Sequence, residues 1–169
     1  QAHKSTDRLE DDLVDSESKT GCLLLNIAPH PDGTIPEEQQ DRLRGNGKWL
    51  RLNGEAIYGS RPWLRFGEGP SKTPVGHLAD IGFDGFGNQD IRFTTKDGLL
   101  YAFVLVPPTE DVVIKSLANG GFCAEQISRV SMLGTAERLR WDRRADALVI
   151  SLPKELPDAL AVGFRIEMQ

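Results

Sequence analysis

The chain has 169 residues, of which 39% are apolar and 27% charged, enough for one domain of ordinary size or a small domain with an appendage. Its 25 acidic and 20 basic residues give a net charge of -5, which argues against a general nucleic-acid or anionic-membrane partner. No run approaches the roughly eighteen apolar residues of a membrane span, and residues 1–10 are too polar for a secretory signal.

Residues 5–19 read as a helix, with Ser5 or Thr6 as N-cap, Asp7 in the first turn and Gly21 placed to end it. Its apolar stripe is thin, only Leu9, Leu13 and Val14, so a surface helix is expected with Glu10, Asp11, Asp12, Ser16 and Glu17 in water. Residues 22–28 form an apolar run without alternation, as in a strand covered on both faces, and Pro29-His30-Pro31-Asp32-Gly33 breaks it. Thr34 and Glu37 have capping-box spacing, Pro36 suits a first helical turn, and a second helix is expected to about residue 52. Gly45, Asn46 and Gly47 weaken its middle, and Asn53-Gly54 closes it.

From Arg61 onward, short β-rich segments alternate with turn residues, the pattern of an antiparallel sandwich. Strands are expected at 63–66, 91–95, 99–106, 112–117, 127–133, 139–141, 147–152 and 161–168, with Lys96-Asp97-Gly98 as the clearest hairpin turn. The Gly-, Pro- and Asp-rich stretch 67–90 reads as a long loop. The fold class expected is mainly β with α: a C-terminal antiparallel β-sandwich preceded by a helix-strand-helix unit. The domains expected are 1–58 and 59–169.

Signals for chemistry are sparse. Cys22 and Cys123 do not make a disulfide framework and are expected as buried free thiols. His3 and His77 are isolated, and no P-loop, G-x-S-x-G or close Cys/His cluster occurs. Asp84, Asn88 and Asp90 in a glycine-rich loop do not match an EF-hand, so an ordinary turn is expected. The adjacent acids Glu37-Glu38 and Asp11-Asp12 are consecutive on helices and do not face each other across a cleft. Among the aromatics, Trp63, Tyr101 and Trp141 lie in expected strands and fit the core, whereas Phe83 and Phe86 are the pair expected to be exposed.

The run Leu23-Leu24-Leu25-Asn26-Ile27-Ala28-Pro29 with Pro31-Asp32-Gly33 resembles the final barrel strand and loop of α-L-fucosidases. Asn53-Gly54-Glu55-Ala56-Ile57-Tyr58-Gly59-Ser60-Arg61-Pro62-Trp63 resembles their passage into the sandwich. Phe93-Thr94-Thr95-Lys96, Val130-Ser131-Met132-Leu133-Gly134 and Leu148-Val149-Ile150-Ser151-Leu152-Pro153 resemble the sandwich strands, so the likeness covers nearly the whole chain. The resemblance implies a helix-strand-helix remnant of a (β/α)8 barrel followed by the family's sandwich. It also implies a parent retaining glycosidase that removes terminal α-L-fucose with two carboxyl groups roughly 5 Å apart and no metal or organic cofactor.

In that family the aspartate nucleophile and the acid/base lie upstream of the segments matched here, so the resemblance assigns no catalytic residue, and the chain is expected to be inactive alone. Asn26 and His30 are the sugar-proximal candidates in a complete barrel, although an exposed loop histidine and a satisfied strand-end asparagine are the blander readings. At Glu10, Ser16, Glu17 and Asn46 the family pattern leads one to expect mostly apolar residues. Their polarity suggests a free-standing fragment whose former barrel interface is compatible with water. The expected partners are a fucosylated glycan through the complete enzyme, the remainder of a barrel, or a second copy, with no nucleic acid or membrane. The alternative function is a non-catalytic carbohydrate-binding or protein-interaction sandwich; localisation stays open.

Overall fold

The computed structural model describes residues 4–73 and 83–169; His3 and His77 lie outside them. Helix α1 spans Thr6–Ser18, and its N-cap Ser5 accepts a hydrogen bond from the Arg8 amide at 3.1 Å. The helix stops as the Gly21 amide donates to the Ser16 carbonyl at 2.7 Å and Thr20 takes the left-handed turn at φ 67°. The strained position is thus Thr20, one residue before the glycine.

Helix α2 spans Glu37–Asn53. Pro36 stands at its N-cap and has no side-chain group to cap it, and the Thr34 hydroxyl donates to Asp32 at 2.7 Å instead of capping the helix. The capping box suggested by spacing is therefore not formed. Gly45 does not break α2 but lets it approach α1: a Cβ there would lie 2.8 Å from Thr6 Cγ2. A 3-10 turn, Gly54–Ala56, leads out of the helix.

Eight strands follow: β1 (Arg61–Glu68), β2 (Ile91–Lys96), β3 (Leu99–Val104), β4 (Val112–Ile114), β5 (Ile127–Met132), β6 (Trp141–Arg143), β7 (Leu148–Ile150) and β8 (Val162–Met168). They form a five-stranded sheet in the order β1-β2-β3-β8-β5 and a three-stranded sheet in the order β4-β7-β6, with every pairing antiparallel. Each expected strand beyond residue 61 has a counterpart: β1 is longer than expected, β3 and β7 are shorter, β4 is shorter because a 3-10 turn takes Lys115–Leu117, and β6 shares only Trp141 with the expected 139–141. The β2–β3 hairpin turns on Asp97 at φ 52° and Gly98 at φ 79°, the backbone a tight hairpin requires.

Alternation along the strands gives the large sheet two different faces. Phe93, Leu100, Ala102, Val104, Phe164 and Ile166 point between the sheets and meet Ile114, Leu148 and Ile150. The opposite face carries Tyr101, Phe103 and Leu105, which pack with Val14 of α1, Trp49 of α2, Ala56, Ile57 and Ala161. Trp49 is fully buried, donates its indole N–H to the Ala161 carbonyl at 2.7 Å and lies 5.7 Å from Phe103 between ring centroids. Both helices thus share a core with the outer face of the sandwich.

Two expectations about the N-terminal residues are overturned. Residues 22–28 carry no strand ladder: Leu24 is 84% exposed, Leu23, Leu25 and Ile27 are also exposed, and so is Cys22. A strand is held by hydrogen bonds to a neighbour, and among the described residues this run meets only the Gln39 side chain, which accepts from the Ala28 amide at 2.9 Å. Helix α1 is not a solvated surface helix, because Glu10 is 0% exposed and Asp11 4%. Asn46 is buried as well, while Ser16 and Glu17 are half-buried and the Glu17 carboxylate accepts from the Ser60 hydroxyl. The idea that these polar positions face water fails at Glu10 and Asn46, since α1 and α2 cover them against each other and the sheet.

Candidate functional site

The loop between the helices holds the residues the sequence singles out. The His30 amide donates to the Thr34 carbonyl at 2.8 Å, and the Gly33 amide, at φ 85°, donates back to the His30 carbonyl at 2.8 Å. Asp32 accepts from both the amide and the hydroxyl of Thr34, and these bonds hold its carboxyl below the usual carboxylate range. The loop is therefore a closed turn tied by its own backbone. Asn26 and His30 are both exposed on it, separated by Ile27, Ala28 and Pro29. Glu37 and Glu38 beyond it are also exposed, with Glu38 facing Arg42 one helical turn on at 3.3 Å.

Carboxyls with raised proton affinity lie elsewhere. Burial first, then repulsion from Asp158, Asp7 and Asp11, pushes Glu10 up to about 8, and burial with Asp7 pushes Asp11 up to about 8. A carboxylic acid of this kind could serve as a general acid. Here both groups are sealed from solvent and consecutive on one helix, so neither reaches a substrate or faces the other across a cleft.

A second set of groups lines an open cleft of about 720 Å³ beside β5, β8 and the 133–139 segment, with Leu52, Glu55, Arg129, Arg138, Trp141 and Arg165 on its walls. The Tyr101 hydroxyl donates to Glu55 at 2.8 Å and Arg165 reaches the same carboxylate at 3.2 Å. Burial and that hydrogen bond hold the Tyr101 phenol well above its ordinary range. Sequence reading missed this trio because Tyr101 and Arg165 lie 46 and 110 positions from Glu55, and they meet it only when β3 pairs with β8 beside the 3-10 turn that carries Glu55.

The aromatics expected to be exposed are engaged. Phe83 and Phe86 stack edge-on at 5.1 Å, and the Arg8 guanidinium lies 4.7 Å from the Phe83 centroid, that of Arg92 5.0 Å from Phe86. Asp90, the best-placed acid of the glycine-rich loop, is fully buried and accepts from the Ser71 amide and hydroxyl and the Gly87 amide. It ties the two ends of the long loop together, as an ordinary turn residue does. Cys123 is buried with its thiol 3.4 Å from Glu125, and desolvation pushes that thiol up. Among the described residues no group of His, Cys, Asp and Glu has the arrangement of a metal site.

Comparisons with known proteins match this architecture. A family model described as "Alpha-L-fucosidase" matches residues 1–55, and one described as "Alpha-L-fucosidase C-terminal domain" matches residues 85–167. Tissue alpha-L-fucosidase of Mus musculus is 35% identical over 156 residues, covering 91% of this chain and 30% of the relative, and that of Homo sapiens is 33% identical over 154 residues, covering 90% and 28%. The crystal structure of Thermotoga maritima alpha-fucosidase superposes with a TM-score of 0.74 at 36% identity, covering 98% of this chain and 35% of that one. The chain thus spans about 30% of the length of the curated relatives it matches. With both family models matched in chain order around a common fold, the chain belongs to the α-L-fucosidase family and corresponds to its C-terminal portion.

Proposed function

We propose that this chain is the scaffold end of an α-L-fucosidase, the whole enzyme hydrolysing terminal α-L-fucosyl linkages with retention, and that the chain has no such activity alone. The observation that carries the reading is the share of the relatives it covers, about 30%; the resemblance implies that the family's paired carboxylates lie upstream of the segments matched here. The acids of this chain support it: of the three with raised proton affinity, Glu10 and Asp11 are buried and Asp7 is half-buried on the same helix, while Asp32 of the loop between the helices is tied to Thr34. In a completed barrel Asn26 and His30 would lie toward the sugar, with the fucosylated glycan as the ligand of the whole enzyme. We place the boundary at 58/59, where the chain leaves the helical unit for the sandwich strands.

Hydrolysis of an aryl α-L-fucoside tests this directly. The expected result is no turnover above the uncatalysed rate; activity that follows the protein through purification and titrates with it would overturn the proposal. The open cleft beside Trp141 favours a second reading, a sugar-binding or interaction module. Calorimetry with fucosylated oligosaccharides at millimolar concentration separates the two, since absence of heat removes the second.

A further inference from the structure

The seam between α1, α2 and the loop before β8 is built from acceptors. Both carboxylate oxygens of Glu10, Asp11 Oδ1, Asn46 Oδ1 and Asp158 Oδ2 are buried there without a hydrogen-bond donor among the described residues. Asn53 Oδ1, at the far end of α2, shares that condition while its amide nitrogen donates to the Trp49 carbonyl. Buried acceptors without donors are expensive, and two facing carboxylates are worse. Protons are the one thing the residues of the seam can take up to change this, because a neutral carboxyl donates where a carboxylate cannot.

The charges around the seam point the same way. Glu10 is repelled by Asp7 and Asp11 of its own helix and by Asp158 of the loop before β8. Asp11 sees Asp7 and Asp12 on α1, with Arg8 of α1 and Arg92 of β2 as its cations. Those cations are committed elsewhere, Arg8 to Asp12 at 3.0 Å and Arg92 to Asp15 at 2.6 Å. From α2 comes Lys48, 68% exposed and 3.9 Å from Asp158.

We propose that α1 is a proton-gated clasp: neutral Glu10 and Asp11 hold its first turns in the seam by donating their carboxyl protons to the surrounding acceptors, and loss of those protons to solvent releases them. The buried Asp15–Arg92 ion pair anchors the next turn of α1 to β2, so release is confined to residues 6–12, while the sandwich core, which shares no group with the seam, stays closed. The direction follows from linkage. Glu10 is pushed up from 4.5 to about 8 and Asp11 from 3.8 to about 8, so between those limits the docked helix binds more protons than the released one. Docking is strongest below about pH 4, weakens as pH rises and is weakest above about pH 8. This inference does not depend on the catalytic reading of the chain.

Amide hydrogen exchange on the full chain, from pH 5.5 to 9 and corrected for intrinsic exchange, tests it. Protection of residues 6–12 is expected to fall at least tenfold over that range relative to β3 and β8. Unchanged relative protection would overturn the clasp and mean that water or a rotated amide satisfies the acceptors. The double variant Glu10→Gln with Asp11→Asn is expected to flatten the profile, and a profile retaining the wild-type slope would also overturn it. Should that variant not fold, the carbon-13 carboxyl titration of wild-type Glu10 decides: a midpoint above 7 supports the clasp, and one near 4.5 refutes it.

Discussion

The two faces of the five-stranded sheet solve the same problem in opposite ways. Against the small sheet, Phe93, Leu100, Val104, Phe164 and Ile166 make an apolar contact that asks nothing of pH or ion pairing. Against the helices, Trp49, Phe103 and Val14 share the seam with Glu10, Asp11, Asp15, Arg92, Asn46 and Asn53, all buried. The first face is held by area removed from water, the second by whether each buried charge finds a partner. Burial alone therefore does not tell a stable contact from a conditional one.

The comparison can be broken at either face. Phe164→Ala empties a fully buried site between the sheets and is expected to cost about 3–5 kcal/mol at all pH values, read as a lowered urea midpoint at constant slope. Asp15→Ala leaves the Arg92 guanidinium, 2% exposed, without its 2.6 Å partner and is expected to cost up to about 3–5 kcal/mol. Asp15 also serves Lys19 at 2.8 Å, so loosening of the α1 C-terminus should accompany the loss and show in amide exchange. A change under about 1 kcal/mol for Asp15→Ala would mean the helical face is not held by ion pairing.

Glu10→Leu sharpens the contrast in the other direction. Replacing the donorless carboxyl by an apolar side chain is expected to stabilise the fold by about 1–3 kcal/mol near pH 8.5, and by less near pH 5 where the wild-type group is already neutral. Urea titration at the two pH values checks the sign. Asp97→Ala, in the β2–β3 hairpin turn, removes a side chain suited to φ 52° and is expected to cost about 1 kcal/mol at either pH.

The sandwich was largely legible because its signals are local. Lys96-Asp97-Gly98 names its own turn, β-rich runs bounded by turn residues name the strands around it, and those strands start and end within two residues of where they are expected. The helices were legible as helices, yet not in what they bury. On polarity alone α1 presents Leu9, Leu13 and Val14 as its inward stripe, whereas Glu10, Asp11, Asp15 and Ser18 are buried as well. The partner that makes sense of Asp15 is Arg92, 77 positions away, and no local pattern points to it. The apolar run 22–28 failed in the opposite sense: its composition asks for a covered strand, but a ladder needs a neighbour, and no described residue supplies one. Asn26 and His30 were singled out from their motif and stand exposed on the loop, while the Glu55–Tyr101–Arg165 trio was not anticipated.

By itself the sequence determined the two helices, the succession of sandwich strands after them, the hairpin turn and the family, because turn chemistry and short motifs are carried by adjacent residues. Only the tertiary structure decided which acids are buried, which apolar residues stay uncovered and which face of the sheet depends on protonation. Those properties are set by what stands opposite a side chain, and desolvation and pairing are settled by neighbours that the chain brings together only when it folds.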